Sequence, residues 1–424
     1  MNVSIIGAGY VGLVTAAGLA HLGHVVRLGE ANPDRVALLD AGEVPIFEEG
    51  LADLLDGARA ADRISFHTSN VEAAEGSDLV FLCLPTPQGE DGRANLNFIF
   101  SVVDELGGHM DEGDLFVVKS TVPPGTVASL RKRLADLGSS ARIVSHPEFL
   151  REGRAVPDFM NPDRIVIGAW DAADADRVAS LYADIDTHVI KTDPTSSEMI
   201  KYANNSYLAS RLTFVNTLAN VCEAVGADIL DVIEGLGSDH RIGPHFLQPG
   251  PGYGGSCFPK DTSALIAVAE DAGYDFQLLR AVIAADDEQR RRVAAKVRLA
   301  AGGGLRGRKV AMWGIAFKAG TDDVRESPAL RIAALLQEEG AEVVAYDPEA
   351  NTHMVGIAPS ALEAVDGADV LLVATEWPEF TEVDLAEVAS RMRGHRIVDA
   401  RNLLDPKQVR KVGLDYWGLG RPGA

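Results

Sequence analysis

The first thirty residues, MNVSIIGAGYVGLVTAAGLAHLGHVVRLGE, narrow the fold more than any other stretch of the chain. A short apolar strand runs into Gly7-x-Gly9-x-x-Gly12, an alanine-rich helix follows, and a second apolar strand ends on the acid Glu30. Each glycine serves such a turn differently. Gly7 permits the tight bend, Gly9 lets the backbone approach a pyrophosphate, and Gly12 lets helix and strand pack closely. The start of the helix then turns its partial positive charge toward the phosphates. A bare glycine triplet is weak evidence, but strand before, helix after and an acid 18 residues beyond Gly12 together describe a dinucleotide-binding βαβ unit. A carboxylate at Glu30 suits both ribose hydroxyls and repels a 2′-phosphate, which favours NAD over NADP.

The same design continues. Further strands are predicted at DLVFLCLPT, DLFVVKST and RIVSHPEFL, each after a helical stretch, as a parallel doubly wound sheet requires. Thr86 and Thr121 close two of these strands, where ligands gather, so both are expected to touch cofactor or substrate; simple helix caps are the plain alternative. From residue 195 the pattern becomes helical, with apolar residues at threes and fours for about forty residues. A long spine or a pair of helices, with a face for a subunit interface, is expected there. Lys201, Asn204 and Asn205 crowd its beginning, within reach of a cleft. From Arg308 the first outline recurs as strand, helix and strand ending in an acid, and EAAEGSDLVFLCLPTP is echoed by EAVDGADVLLVATEWP. This second domain lacks GxGxxG, so a nucleotide gripped by Lys318, Arg325 and Arg401 is expected in place of a second dinucleotide. The expected architecture is α/β: two doubly wound Rossmann-like domains, residues 1–194 and 301–424, joined by a central, mostly helical segment, residues 195–300.

Between them lies GPGYGGSCFPKD, residues 250–261. A thiol can serve a dehydrogenase by attacking an aldehyde, because the thiohemiacetal still carries a hydride and its oxidation gives a thioester that water hydrolyses. That chemistry needs a nearby ionisable group, an oxyanion partner and a backbone that lets substrate come close. Gly254 and Gly255 remove side chains beside Cys257, while Lys260 and Asp261 follow within one helical turn. An incidental cysteine in a glycine loop is the alternative. The other thiols, Cys83 in an apolar run and Cys222 on a helix, read as small core residues. Three scattered cysteines with no CxxC or Cys/His cluster imply neither a disulfide framework nor a metal site.

The formal net charge is −23, and ten of the 39 basic residues are lysine. Such a surface repels nucleic acid and anionic membranes, so neither is an expected partner. It also fits solubility in a salty cytoplasm, where screening reduces self-repulsion. No apolar run approaches the roughly 20 residues that span a bilayer, and the chain opens on a strand without a signal-like start, so a cytoplasmic enzyme is expected.

Ordered motifs run the length of the chain: GAGYVG, GEVPIFEEGL, KSTVPPGT, HPEFLREG, NPDRIVIG, KYANNSYLA, GPGYGGSCFPKD, GIAFKAGTDDVRESPA, ATEWPEF and DARN. In these the sequence resembles the UDP-glucose 6-dehydrogenases of the UDP-glucose/GDP-mannose dehydrogenase family. The resemblance implies four-electron oxidation of UDP-glucose with two NAD, Cys257 being the nucleophile and Lys201 the oxyanion partner. It implies that Asp261, with Asn205 and a water held by Thr121, handles the alcohol proton, and that Glu148 assists thioester hydrolysis. Implied NAD contacts are Val11, Glu30, Arg35, Thr86, Lys260 and Arg325, with Glu152 at cofactor and sugar. The sugar nucleotide would meet Phe149 and Leu150, then Phe246, Leu247, Gln248, Pro249 and Gly250, Tyr253 and Gly254, with Lys318 and Arg401 from the UDP-sugar-binding third segment. Arg241 would reach a phosphate in the neighbouring subunit, which implies a homodimer. Glu30 replaces the more usual aspartate, Glu49 a common proline, and Phe246 an aromatic hydroxyl. The rival readings are a GDP-mannose 6-dehydrogenase, a noncatalytic NAD or nucleotide-sugar sensor, and a cysteine hydrolase. No histidine lies beside Cys257 in sequence to support the last, and His240 and His245 read as polar loop residues.

Overall fold

The computed structural model describes residues 1–110 and 113–422. The chain packs as two compact units: Met1–Asn204 with Ser263–Gly273, and Asn205–Thr262 with the chain from Tyr274 onward.

The first unit is built on an eight-stranded sheet. In chain order its strands are β1 (Asn2–Ile6), β2 (Val25–Gly29), β3 (Ile64–His67), β4 (Leu79–Leu82), β5 (Leu115–Val118), β6 (Arg142–Ser145), β7 (Arg164–Gly168) and β8 (His188–Thr192). They lie in the order β3-β2-β1-β4-β5-β6-β7-β8. The first six pair in parallel, and the reversal of winding beside β1 is where doubly wound sheets bind ligands. Continuous apolar runs in β4 and β5 are divided between two cores by strand pleating. Leu79, Phe81, Leu115 and Val117 enter one core with Leu13 and Leu28; Val80, Leu82, Phe116 and Val118 enter the other with Ile99 and Leu130. The parallel expectation stops at β6, because β7 meets it antiparallel through Ser145 and Gly168, and β8 runs parallel to β7.

The second unit contains β9 (Lys309–Trp313), β10 (Glu342–Tyr346), β11 (Gly356–Ile357), β12 (Val370–Val373), β13 (Arg396–Asp399) and β14 (Asp415–Gly418). Their order, β11-β10-β9-β12-β13-β14, repeats that of β1–β6, and all five pairings are parallel. The echo seen in the sequence is therefore structural. Ser69 and Ser360 cap the equivalent short helices, accepting from the amides of Glu72 and Glu363.

The long helical pattern resolves into a pair. A helix spans Pro194–Val225, Gly226 ends it at φ +77°, and Asp228 caps the next helix, Ile229–Gly237, by accepting from Leu230 N–H. Among the described residues no helix is long and apolar enough to cross a membrane.

Candidate active site

The glycine turn shows which of its members the protein itself requires. Gly7 adopts φ +104°, and a Cβ there would lie 2.5 Å from the Cys83 carbonyl oxygen. At Gly12 a Cβ would lie 1.8 Å from the Gly7 carbonyl oxygen. Gly9 differs: a Cβ would meet nothing within 4 Å. Its missing side chain is therefore not explained by the protein's own packing, as expected of a glycine that clears room for a pyrophosphate. Gly9 also precedes the helix Tyr10–His21, which has no side-chain cap, so its first amides remain for an anion. These features fit NAD. Half-buried Val11 lies on the first turn of that helix.

Glu30 is fixed where β2 ends: Oε2 accepts from Ala8 N–H at 3.0 Å and Oε1 from Asn32 N–H at 2.9 Å. A carboxylate retains further lone pairs for ribose hydroxyls. Arg35 donates to the Ala8 carbonyl at 3.3 Å. In the repeated domain Asp347 takes the place of Glu30, but its acceptor sites are taken by the amides of Ile315, Ala316, Glu349 and Ala350 and by the Trp377 indole N–H. With Gly314 also pressed against Thr375, the protein's own groups fill that turn.

Thr86 and Thr121 lie beyond their strands, which end at Leu82 and Val118, and neither caps a helix. Thr86 Oγ1 donates to the Thr121 carbonyl at 2.9 Å, joining the two loops.

Glu148 and Lys201 form a buried ion pair at 2.8 Å with 5% and 3% of their surfaces exposed. The other Glu148 oxygen accepts from Leu150 N–H at 2.5 Å, and the Lys201 ammonium lies 5.3 Å from the Phe149 ring centre. Glu152 is half-buried four residues on. Asn204 turns to Arg164, which donates to it at 2.8 Å and stacks on Phe149.

In the second unit Cys257 immediately precedes the helix Phe258–Asp271, and Asp261 N–H donates to its carbonyl at 2.8 Å. Ser256 Oγ lies 3.5 Å from the thiol sulfur. Asp261 is fully buried; one carboxylate oxygen accepts from Lys260 at 2.5 Å and the other from Asn205 Nδ2 at 2.6 Å. The glycines beside Cys257 have a use the sequence did not reveal. A Cβ on Gly254 would lie 2.5 Å from the Glu326 carbonyl oxygen, and one on Gly255, at φ +79°, 2.9 Å from the Phe317 ring. The space they clear is filled by this chain.

Arg401 lies against the same loop, 3.0 Å from where a Gly250 Cβ would stand, and its guanidinium donates to the carbonyls of Ala374 and Phe317. Lys318 lies 5.6 Å from the Phe317 ring centre. Leu247, Pro249, Gly250 and Tyr253 are buried, Gln248 is exposed, and Phe246 is held at φ +58°, a strained backbone for an aromatic residue. Arg325 and Arg241 are exposed and forked by Asp323 and Asp239. His240 and His245 are also exposed, as polar loop residues should be.

Lys119, His146, Glu48 and Glu198 are buried polar residues that the sequence reading did not single out, although the first three sit inside quoted motifs. Lys119 lies 3.2 Å from His146, whose Nδ1 donates to the Val166 carbonyl and whose Nε2 accepts from Tyr182. Burial lowers the Lys119 ammonium to about 8 and pushes the neighbouring Cys83 thiol up to about 12. Burial, then the Lys119 charge, hold His146 well below its ordinary value. Cys83 and Cys222 are core residues as expected. Glu48 gathers the amides of Gly153 and Ala155 at 2.7 and 2.6 Å, fixing the loop after Glu148. Glu198 gathers those of Gly125 and Val127 at 2.6 and 2.7 Å, fixing the loop after Thr121.

Comparison with known proteins agrees with this arrangement. The UDP-glucose/GDP-mannose dehydrogenase family matches through its NAD binding domain at residues 1–186, its central domain at 195–288 and its UDP binding domain at 311–406. A UDP-glucose 6-dehydrogenase of Pseudomonas aeruginosa is 41% identical, covering 100% of this chain and 98% of that one. A solved UDP-glucose dehydrogenase from Pyrobaculum islandicum superposes with a TM-score of 0.90 at 37% identity, covering 99% and 98%. A UDP-D-ManNAc dehydrogenase from Pyrococcus horikoshii gives 0.91 at 27% identity, covering 100% of each chain. With a glycine turn suited to NAD and all three family domains in order, the chain belongs to the UDP-glucose/GDP-mannose dehydrogenase family and is an NAD-dependent oxidoreductase.

Proposed function

We propose that this enzyme oxidises the primary alcohol of UDP-glucose to the carboxylate of UDP-glucuronate, with two NAD consumed per sugar and Cys257 as covalent nucleophile. One observation carries the reading: Cys257, alone among the three cysteines in not being buried, directly precedes a helical turn bearing fully buried Asp261, itself bound by Lys260 and Asn205. A buried carboxylate tied to an amide and an ammonium is an expensive arrangement that packing alone does not need. The nucleotide is taken as UDP because the family's UDP binding domain matches, and the sugar as glucose because the 41% identical relative carries that name, against 27% for the UDP-D-ManNAc enzyme.

Residues 1–194 hold NAD, 195–300 supply the thiol and the subunit interface, and 301–424 hold the UDP-sugar. The alcohol proton passes toward Asp261 through a water held by Asn205 and Thr121 while hydride leaves the same carbon, giving an aldehyde. Bound NAD supplies the hydride acceptor in each oxidation. The Cys257 thiolate adds to the aldehyde carbon, and the Lys201 ammonium stabilises the oxyanion of the thiohemiacetal. Departure of the second hydride leaves a thioester. Water then attacks its carbonyl with Glu148 assisting removal of the proton, and the carbon–sulfur bond breaks to release carboxylate and thiol.

A homodimer is the proposed working form. Tyr207, Phe214, Val221 and Val225 are 65, 58, 51 and 73% exposed at spacings of seven and four along one helix, an apolar stripe that a second copy would cover. Arg241 would then serve the partner's substrate. The reducing cytoplasm is its proposed location, where three scattered cysteines with no paired spacing would stay as thiols.

The test is NADH formed per sugar with limiting UDP-glucose and excess NAD, with GDP-mannose in parallel. About two per UDP-glucose is expected, and Cys257→Ser should abolish the second. One per sugar in the unaltered enzyme would end the covalent proposal. Turnover of GDP-mannose alone would transfer the chemistry to that substrate, and none with either would favour a sensor.

A further inference from the structure

The loop that precedes Cys257 is gripped by buried side chains at two points. At the first, both backbone groups of Gly250 are occupied: its N–H donates to Asn216 Oδ1 at 2.8 Å and its carbonyl accepts from Gln289 Nε2 at 2.9 Å. Asn220 Nδ2 donates to Gln289 Oε1 at 2.8 Å, which fixes the orientation of the Gln289 amide. Three residues on, both backbone groups of Tyr253 are occupied. Its N–H donates to Asp286 Oδ1 at 2.9 Å, its carbonyl accepts from Arg290 at 2.9 Å, and Arg290 closes the ring onto the other Asp286 oxygen. Asn216, Gln289 and Asp286 are 3, 2 and 1% exposed. The gripping groups come from two rigid elements, the helices Pro194–Val225 and Gln277–Ala300. Between the grips Gly252 adopts φ +124°, and a Cβ there would lie 3.0 Å from Asp286 Oδ1.

Burying two amides and a carboxylate–guanidinium pair costs more than packing apolar side chains of the same volume. What the arrangement provides is a loop whose backbone is ordered before any ligand arrives, and preordering a binding loop improves affinity by removing that cost from the binding step. We propose that Asn216, Gln289, Asp286 and Arg290 are positioning residues that preset the backbone of residues 250–253 for the sugar nucleotide. The inference rests on the reading of this loop as a substrate-binding segment. These residues act through the loop and not through NAD, so their loss falls on one ligand only.

The test uses the full chain with Gln289→Met, which preserves side-chain volume and removes both hydrogen bonds, beside Gln289→Ala. Of the two bonds lost, only the one to the Gly250 carbonyl holds the loop, and at ordinary strength its loss predicts a rise of about tenfold in KM and Kd for UDP-glucose in both variants. The KM for NAD should stay within about twofold of the unaltered enzyme. If either variant fails to fold, Asn216→Ser is read in the same way. Unchanged UDP-glucose affinity in Gln289→Met would overturn the inference, since shape alone would then suffice. Equal rises for both ligands would also overturn it, by showing general loosening. Calorimetry of the unaltered protein separates the two layers: failure to bind UDP-glucose would remove the loop reading and the inference together, whereas normal binding with an unaffected variant removes only the inference.

Discussion

Gly9→Ala isolates ligand binding from folding. The residue has φ −76° and ψ −173°, a backbone open to alanine, and a Cβ would meet nothing within 4 Å. Its structural cost is the weaker capping preference of alanine, about 1 kcal/mol or less. The added methyl does, however, occupy the space a pyrophosphate needs against the first amides of the helix Tyr10–His21. Displacing one charge-assisted hydrogen bond, worth about 1.5–3 kcal/mol, weakens NAD binding by roughly 10- to 150-fold. Gly12→Ala is the control, because its Cβ would lie 1.8 Å from the Gly7 carbonyl oxygen and the turn must rearrange. Calorimetric titration with NADH and a thermal melt on each variant distinguish the two. Gly9→Ala should melt near the unaltered protein and bind poorly; Gly12→Ala should lose stability. A Gly9→Ala protein that binds NADH normally, or a Gly12→Ala protein that melts normally, would refute the division of labour.

Burial pushes Glu198 from 4.5 up to about 7, so the folded chain holds this proton more tightly than the unfolded chain. The stability it contributes is fully present below about pH 4.5 and is lost as pH rises to about 7, a swing of about 3 kcal/mol at about 1.4 kcal/mol per pH unit. Denaturant titrations across that range should show this slope in the difference between the unaltered protein and Glu198→Gln; a difference that is flat with pH would contradict it. Phe214→Asp should halve the mass seen by light scattering, since it puts a charge into the apolar stripe, and an unchanged mass would rule the stripe out as the dimer contact. With a net charge of −23, the melting temperature should rise with KCl as the screening length falls toward about 10 Å near 0.1 M, and a melt insensitive to salt would end the proposal of salt adaptation.

The parts of the fold that the sequence reveals are those set by neighbouring residues. The turn at Gly7, the apolar run Leu79–Leu82 and the acid Glu30 are local signals, and the second sheet follows because its strands repeat the first pattern. Where distance decides, the sequence is silent. Glu48 and Glu49 are adjacent acids, and only tertiary packing turns Glu48 inward to the amides of Gly153 and Ala155 while Glu49 stays exposed. Lys119 and His146 are 27 residues apart and meet only because β5 and β6 are neighbours. The glycines beside Cys257 look like room for a substrate, yet Phe317 and Glu326, more than sixty residues later, occupy that room. The antiparallel entry of β7 likewise leaves no mark within its own apolar run.

Neither compact unit is a continuous length of chain, since the first is completed by Ser263–Gly273 after the second has begun. During synthesis the amino-terminal sheet is finished at Thr192, but its unit still lacks a piece until the ribosome has passed Gly273. At about 5–20 residues per second that interval lasts several seconds, during which an incomplete surface is available to chaperones or to other nascent chains. A fragment cut at Asn204 would stay in that state permanently and would also end within the helix Pro194–Val225. Isolating the NAD-binding half therefore requires splicing residues 263–273 back on, not merely shortening the chain.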